Sequence, residues 1–294
     1  IPTDLTMTVV PILGAGSSMA DYRIGFKWWA LIIAVVFVIS ELVCVACVPE
    51  RPVACDEKPG KISDMFKSLF KNDQAMTVVV SIILVYTSLN ICGNLVLYFF
   101  RFDVGNEGAY SIFAAVAFAA QVLVMMVIPL LRKRFSKSQL FISGFIIQIA
   151  GFAVILIMAF AKLYTPQSWY ILCLPGILIY LGYGMLNVIM TIFLSDSVDY
   201  GEVMNGTREE SVIFSMQTFT VKLASGVAVF LAGLVVDWIH LDTAAAVQTQ
   251  DTLDALRMWM TIPSVILLIV GIFVFKRFYK LDDKRMEEIK SKLN

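Results

Sequence analysis

A bundle of membrane-spanning helices is the fold class this sequence predicts, on three observations. Of its 294 residues, 59% are hydrophobic and only 16% charged, with a mean hydropathy of +0.81; a soluble domain is nearer half apolar and a quarter charged. The apolar residues come in runs of about 20, long enough to cross a bilayer core as a helix. Within the runs they lie on every side, with neither strand alternation nor a one-sided stripe. An all-α, multi-pass membrane protein satisfies all three.

The same composition excludes several functions. A formal net charge of zero argues against nucleic acid as a partner. The single histidine, His240, leaves nothing for a His-based metal site or a catalytic triad, and neither an enzyme nor a bound cofactor is expected. Cys44, Cys47, Cys55, Cys92 and Cys173 show no zinc-type spacing and read as small apolar packing residues. The chain starts Ile-Pro, has no signal-peptide pattern and opens on a short apolar run. It reads as a fragment lacking its own N-terminus.

One partial span is expected over 1–17. Complete spans follow near Trp28–Val48, Ala75–Phe100, Ala109–Leu131, Leu140–Ala161, Trp169–Leu194, Ser211–Val236 and Met258–Phe275. Of the 23 lysines and arginines, 17 fall in one alternating set of connections, including Arg132–Arg134 and Lys276–Lys292. By the positive-inside rule that side is cytoplasmic, so the segment after Leu194 and the C-terminal tail face the cytoplasm. Residues 49–74 form a central cytoplasmic connection in which Met65, Phe66, Leu69 and Phe70 recur at helical spacing between lysines. That pattern suggests an amphipathic helix on the membrane surface. The predicted organisation is thus 1–48 as the end of one helical half, 49–74 as the central loop, 75–277 as a six-helix half, and 278–294 as a cytoplasmic tail.

Charge at bilayer depth is costly unless it faces a cavity or a partner. Lys222, in "FTVKLASG", stands about 11 residues into its span, roughly 16 Å deep at 1.5 Å per residue. Either it pairs with a buried carboxylate on a neighbouring helix, or it lines an aqueous cavity. Gln217 and Thr218 share its broad helical face. Glu41 is the other intramembrane charge, suited to pairing with a lysine or to carrying a proton. Asn90 and Asn94 lie one turn apart, with Gly93 allowing close helix approach; helix–helix bonding and substrate contact explain them equally. Asn187 sits in a span with Gly182 and Gly184, which suits a hinge that also lines a cavity.

The stretch "SDSVDYGEVMNGTREES" places Asp196, Asp199 and Glu202 three residues apart, projecting from a similar side if helical. Gly201 and Asn205-Gly206 allow turns, Thr207 with Glu210 fits a capping box, and Tyr200 suits the headgroup level. Carboxylates alone make a poor metal site. A helix-end gate, whose carboxylates pair in one state with arginine or lysine from another helix end, Arg134 of "RKRF" being the candidate, competes with a solvated loop; Arg208 is counted with the gate stretch.

Taken together, "SDSVDYGEVMNGTREESVIFSMQTFTVKLASG" resembles the glycoside–pentoside–hexuronide:cation symporters, a melibiose-permease-like family of the major facilitator superfamily (MFS). The resemblance rests on D-x-x-D-Y-G-E, S-x-Q-T and the lysine spacing, with "FKNDQ" and the tail "FKRFYKLDD" in support. It covers the chain from the family's fifth helix to its C-terminus. The resemblance implies an MFS-type bundle and an integral protein of the cytoplasmic membrane. It further implies cotransport of a sugar with Na⁺ or H⁺ by alternating access. It implies that Lys222, Gln217, Thr218 and Val221 face the sugar cavity, and that Asp196, Asp199 and Glu202 belong to the cytoplasmic gate. Asn187 stands where the melibiose permease has a tryptophan. The family's coupling-ion carboxylates lie in the first five helices, so the cation site is expected mostly outside this chain. A carrier of lipid or another amphiphile is the nearest alternative, and a membrane scaffold the more distant one.

Overall fold

The computed structural model describes residues 10, 12–13, 19–47, 70–206, 208, 210–243, 245 and 247–293. The partial span, most of the central loop with Met65, Phe66 and Leu69, and the Thr207 side of the capping box lie outside them. Every regular element among the described residues is helical. Two compact units are present, 1–59 and 60–294. The first contributes α1, Met19–Cys47, which is apolar enough to span a membrane and carries Glu41 on an exposed position.

The second unit contains α2 (Asp73–Tyr98), α3 (Ala109–Leu131), α4 (Lys137–Phe160), α5 (Cys173–Asn205), α6 (Glu210–Trp238) and α7 (Gln250–Phe278). The short α8 (Asp283–Leu293) follows. The first six are each long and apolar enough to cross a membrane, and they alternate in direction. Helices α2, α4 and α6 begin at the lysine- and arginine-rich end, called the basic end below; α3, α5 and α7 begin at the opposite end. Apolarity locates the part of a helix at bilayer depth, and the helices run on into polar sequence. Hence α5 continues through Ser195–Asn205, which makes most of the acidic "loop" a helix end.

Helix caps explain several starts. Asn72 caps α2 by accepting from the Ala75 N–H at 2.9 Å. Ser136 and Gln139 form a full capping box at α4. Beyond Tyr98, α2 widens into a π-helical turn, Phe99–Val104, and closes on Gly105 at φ +75°, a left-handed conformation that glycine adopts without strain.

Packing pairs α4 with α5, α3 with α5, α2 with α6 and α7, and α4 with α7. Between helices in lipid there is no hydrophobic driving force, so close packing and internal hydrogen bonds hold the bundle. Gly182 of α5 lies so close to α4 that an added Cβ would come 2.6 Å from the Gln148 amide nitrogen; at Gly184 it would come 2.6 Å from Val124 of α3. These glycines are packing contacts on two sides of α5 rather than a hinge. Among the described residues nothing lies within 4 Å of such a Cβ at Gly93, so the expected close approach is not made by them. On α6 the buried positions Thr220, Ala224, Ala228 and Ala232 repeat every fourth residue, a small-residue seam on the helix whose main neighbour is α2. Large apolar side chains such as Phe118, Met126, Phe230 and Phe273 are exposed, as lipid-facing residues must be.

Candidate functional site

Polar side chains at mid-depth join three helices. The Asn187 amide of α5 donates to the Tyr86 hydroxyl of α2 at 2.7 Å. One turn along α5, the Thr191 hydroxyl donates to the Asn187 carbonyl at 3.2 Å. The Gln217 amide of α6 reaches the Thr191 hydroxyl at 3.4 Å. On α2, Asn90 and Asn94 each donate to the carbonyl four residues earlier, at 2.7 Å, and their amide oxygens keep no partner among the described residues. Asn94 also lines a cleft of about 530 Å³ with Tyr98, Gly233 and Asp237.

Helix α6 explains the placement of Lys222. At about 100° per residue, Lys222 stands roughly 160° from both Thr220 and Ala224, away from the buried seam. It is exposed and makes no hydrogen bond or ion pair among the described residues, so the structural ion-pair alternative does not hold there. Thr218 shares its exposed side and bonds back to the Phe214 carbonyl at 3.3 Å. Gln217 is turned towards α5, and Val221 packs half-buried against the core. Thr218 and Lys222 therefore share one side, with Val221 about 100° and Gln217 about 140° around the helix from Lys222.

At the basic end, the acidic stretch divides in two. Asp196 is buried and pairs with Lys137, which is 7% exposed at the start of α4. A cation in a helix's first turn opposes the macrodipole, so this lysine needs its carboxylates. Asp283 of α8 supplies a second at 3.6 Å, and Arg132 binds Asp283 at 3.2 Å. Arg134 is exposed and makes no ion pair among the described residues: Lys137 occupies the place expected of it. Asp199 and Glu202 instead hold Arg208, at 3.2 and 2.8 Å, with Glu210 at 3.3 Å. The Glu202 hydrogen bond, with help from the other two carboxylates, raises the Arg208 pKa above its ordinary value.

Around these pairs the chain is tied down. The Asn72 amide donates to the Ser197 carbonyl at 2.8 Å, and a Cβ on Gly201 would come 2.8 Å from that amide nitrogen. Tyr200 faces Asp73 and, with Val203, packs against Leu281, Met286 and Ile289 of the tail. Phe141, Phe193, Phe275 and Tyr279 form an aromatic plug below, with centroids 4.4–5.2 Å apart. The Tyr279 hydroxyl is buried without a hydrogen-bond partner among the described residues; burial, and then the Asp196 and Asp283 charges, push its pKa up.

The opposite end holds an arrangement that periodicity did not signal. Arg257 and Asp103 form a two-pronged pair at 2.5 and 2.8 Å, their side chains 3% and 4% exposed. Asp254 binds Arg257 at 2.7 Å, and the Tyr164 hydroxyl donates to Asp103 at 2.6 Å. Burial first, then the Asp103 carboxylate, raises the Tyr164 pKa and keeps it a donor.

The family described as MFS/sugar transport protein matches residues 3–283. The chain belongs to this family. An uncharacterized symporter of Bacillus subtilis is 24% identical over 287 residues, covering 97% of this chain and 61% of its own length. The raffinose carrier protein of Pediococcus pentosaceus is 24% identical over 292 residues (96% and 44%). The isoprimeverose transporter of Lactiplantibacillus pentosus is 23% identical over 295 residues (99% and 60%). The chain thus spans 61% or less of the length of each of these three relatives. The glycoside–pentoside–hexuronide:cation symporter resemblance of the acidic stretch and Lys222 agrees with this membership.

Sequence reasoning missed Tyr86, Thr191, Lys137, Asp103 and Arg257. Lys137 had a signal: it stands inside a Ser-x-x-Gln capping pattern, directly after Ser136, where a lysine is electrostatically misplaced. Asp103 and Arg257 are 154 residues apart and had none.

Proposed function

We propose that the chain forms the sugar-contacting second half, with part of the first, of a secondary carrier that moves a sugar or glycoside together with Na⁺ or H⁺. It is a carrier rather than an enzyme. The observation that carries this reading is the mid-depth polar line of α2, α5 and α6, with Lys222 of α6 exposed and without a hydrogen bond or ion pair among the described residues. A bare ammonium and several amides at bilayer depth are unfavourable against lipid and favourable against a hydroxyl-rich solute in a wet cavity. The names of the raffinose and isoprimeverose relatives support a sugar as that solute.

The basic end acts as the gate. Lys137, Asp196, Asp283 and Arg132 tie α4, α5 and the tail together in one state. Joint binding of sugar and cation lowers the free energy of the state in which these ties exchange. The lysine and arginine count supports a basic end that faces the cytoplasm, and with it a protein of the cytoplasmic membrane whose C-terminus is inside. The cation joins from the carrier's other half.

The test is uptake of labelled raffinose, with or without an imposed Na⁺ or H⁺ gradient, by cells making the carrier or its Lys222→Ala form. Gradient-stimulated uptake lost in Lys222→Ala, at equal amounts of protein in the membrane, is expected. Normal accumulation by that variant would remove Lys222 from the cavity; uptake of labelled lipid but no sugar would favour an amphiphile carrier.

A further inference from the structure

We propose that Tyr86 is the ring on which the sugar stacks, and that Asn187 sets its orientation. This rests on the sugar-carrier reading above. A sugar offers hydroxyls at its edge and C–H groups on its faces, so a site that holds it pairs an aromatic ring with a few convergent polar groups. The mid-depth surface is rich in amides, from Asn90, Asn94, Asn187 and Gln217. Tyr86, partly buried against the apolar core, brings an aromatic ring to the same line, one turn before Asn90.

That ring is held at two points, both on α5. Its hydroxyl accepts the Asn187 amide at 2.7 Å, and its ring meets Tyr183 edge-on, with centroids 5.5 Å apart and planes at 77°. Tyr183 is itself buried and packed edge-on against Tyr180 at 6.5 Å. A tyrosine has only two side-chain torsions, so two such contacts fix it in advance of binding at little entropic cost. One N–H of the Asn187 amide is given to this bond, which makes Asn187 a positioning residue for the ring. Because α2 and α5 both contribute, the ring's angle also reports the packing of these two helices.

The test measures uptake of raffinose and of p-nitrophenyl α- and β-galactosides, glucosides and xylosides by cells making the carrier, with membrane-inserted protein quantified. Tyr86→Leu should raise KM for the preferred glycoside about tenfold or more at near-normal maximal rate, and Tyr86→Trp should restore it to within about threefold. Tyr86→Phe and Asn187→Ala should each change the rank order of the glycosides, and the double variant should do no more than either alone. Unchanged KM and rank order in Tyr86→Leu would overturn the stacking role while leaving the carrier intact. Additive effects of Tyr86→Phe and Asn187→Ala would overturn the positioning role. Uptake of none of the glycosides by the unsubstituted carrier would overturn the sugar reading and this one with it.

Discussion

The two ends of the six-helix unit both bury an ion pair, and they bury it differently. At the opposite end, Arg257 grips Asp103 with two bonds, and Asp254 and Tyr164 complete the shell. Charges matched that closely, at 3% and 4% exposure, form a clamp. At the basic end the pairs grade outward, from buried Lys137–Asp196 through half-exposed Arg132–Asp283 to exposed Arg208 with Asp199 and Glu202. A buried Tyr279 hydroxyl without a hydrogen-bond partner among the described residues sits among these charges. Fixed geometry suits a pivot, and graded geometry with a spare donor suits a gate.

The largest expected effect tests the clamp. Arg257→Ala strands Asp103 in a dry site, and breaking a buried pair costs about 3–5 kcal/mol. Thermal unfolding in detergent should show it, together with a low membrane yield; a loss below about 1 kcal/mol would mean the pair is not a clamp.

At the basic end, stability and transport should separate. Lys137→Met alone leaves Asp196 unpaired and should cost about 3 kcal/mol, whereas Lys137→Met with Asp196→Leu should recover most of it, because apolar pairs replace buried ion pairs well. Uptake should stay lost in the double variant. Recovered uptake would reduce Lys137–Asp196 to a structural pair and erase the contrast between the ends.

Gly201→Ala probes the approach between Asn72 and α5. An added Cβ 2.8 Å from the Asn72 amide must displace it from the Ser197 carbonyl, at roughly 1–3 kcal/mol. Unchanged unfolding would show that this side chain yields freely. The smallest effect belongs to Arg208→Gln: an exposed cluster is worth about 0.2–1 kcal/mol, less at high salt. A loss as large as that of Lys137→Met would place Arg208 inside the gate instead of at its rim.

Legibility in the sequence followed the range of the interaction. The span over Ala109–Leu131 coincides with α3, and those over Ser211–Val236 and Met258–Phe275 fall within α6 and α7, because hydrophobic runs are local. The other complete spans overlap α1, α2, α4 and α5 without matching their ends. Lys222 stood out because a charge in a greasy segment is a local anomaly. The three carboxylates misled for a geometric reason. A step of three residues falls about 60° short of a full turn, so Asp196 and Glu202 differ by about 120° and meet different partners. Arg134 was the nearest basic cluster in the pattern, but it lies past the end of α3, whereas Lys137 opens α4, the helix packed along α5.

By itself the sequence determined that the chain crosses a membrane repeatedly, where those crossings lie, which end is basic, and that Lys222 needs an aqueous or polar neighbour. Composition and local spacing carry that information, because bilayer partitioning acts on each segment separately. Only the tertiary structure decided that Asp196 meets Lys137, that Asp103 meets Arg257, and that Asn187 holds Tyr86. Those pairings depend on which helix faces lie against one another. That choice is made by close packing at Gly182, Gly184 and the α6 small-residue seam, and no single segment encodes it.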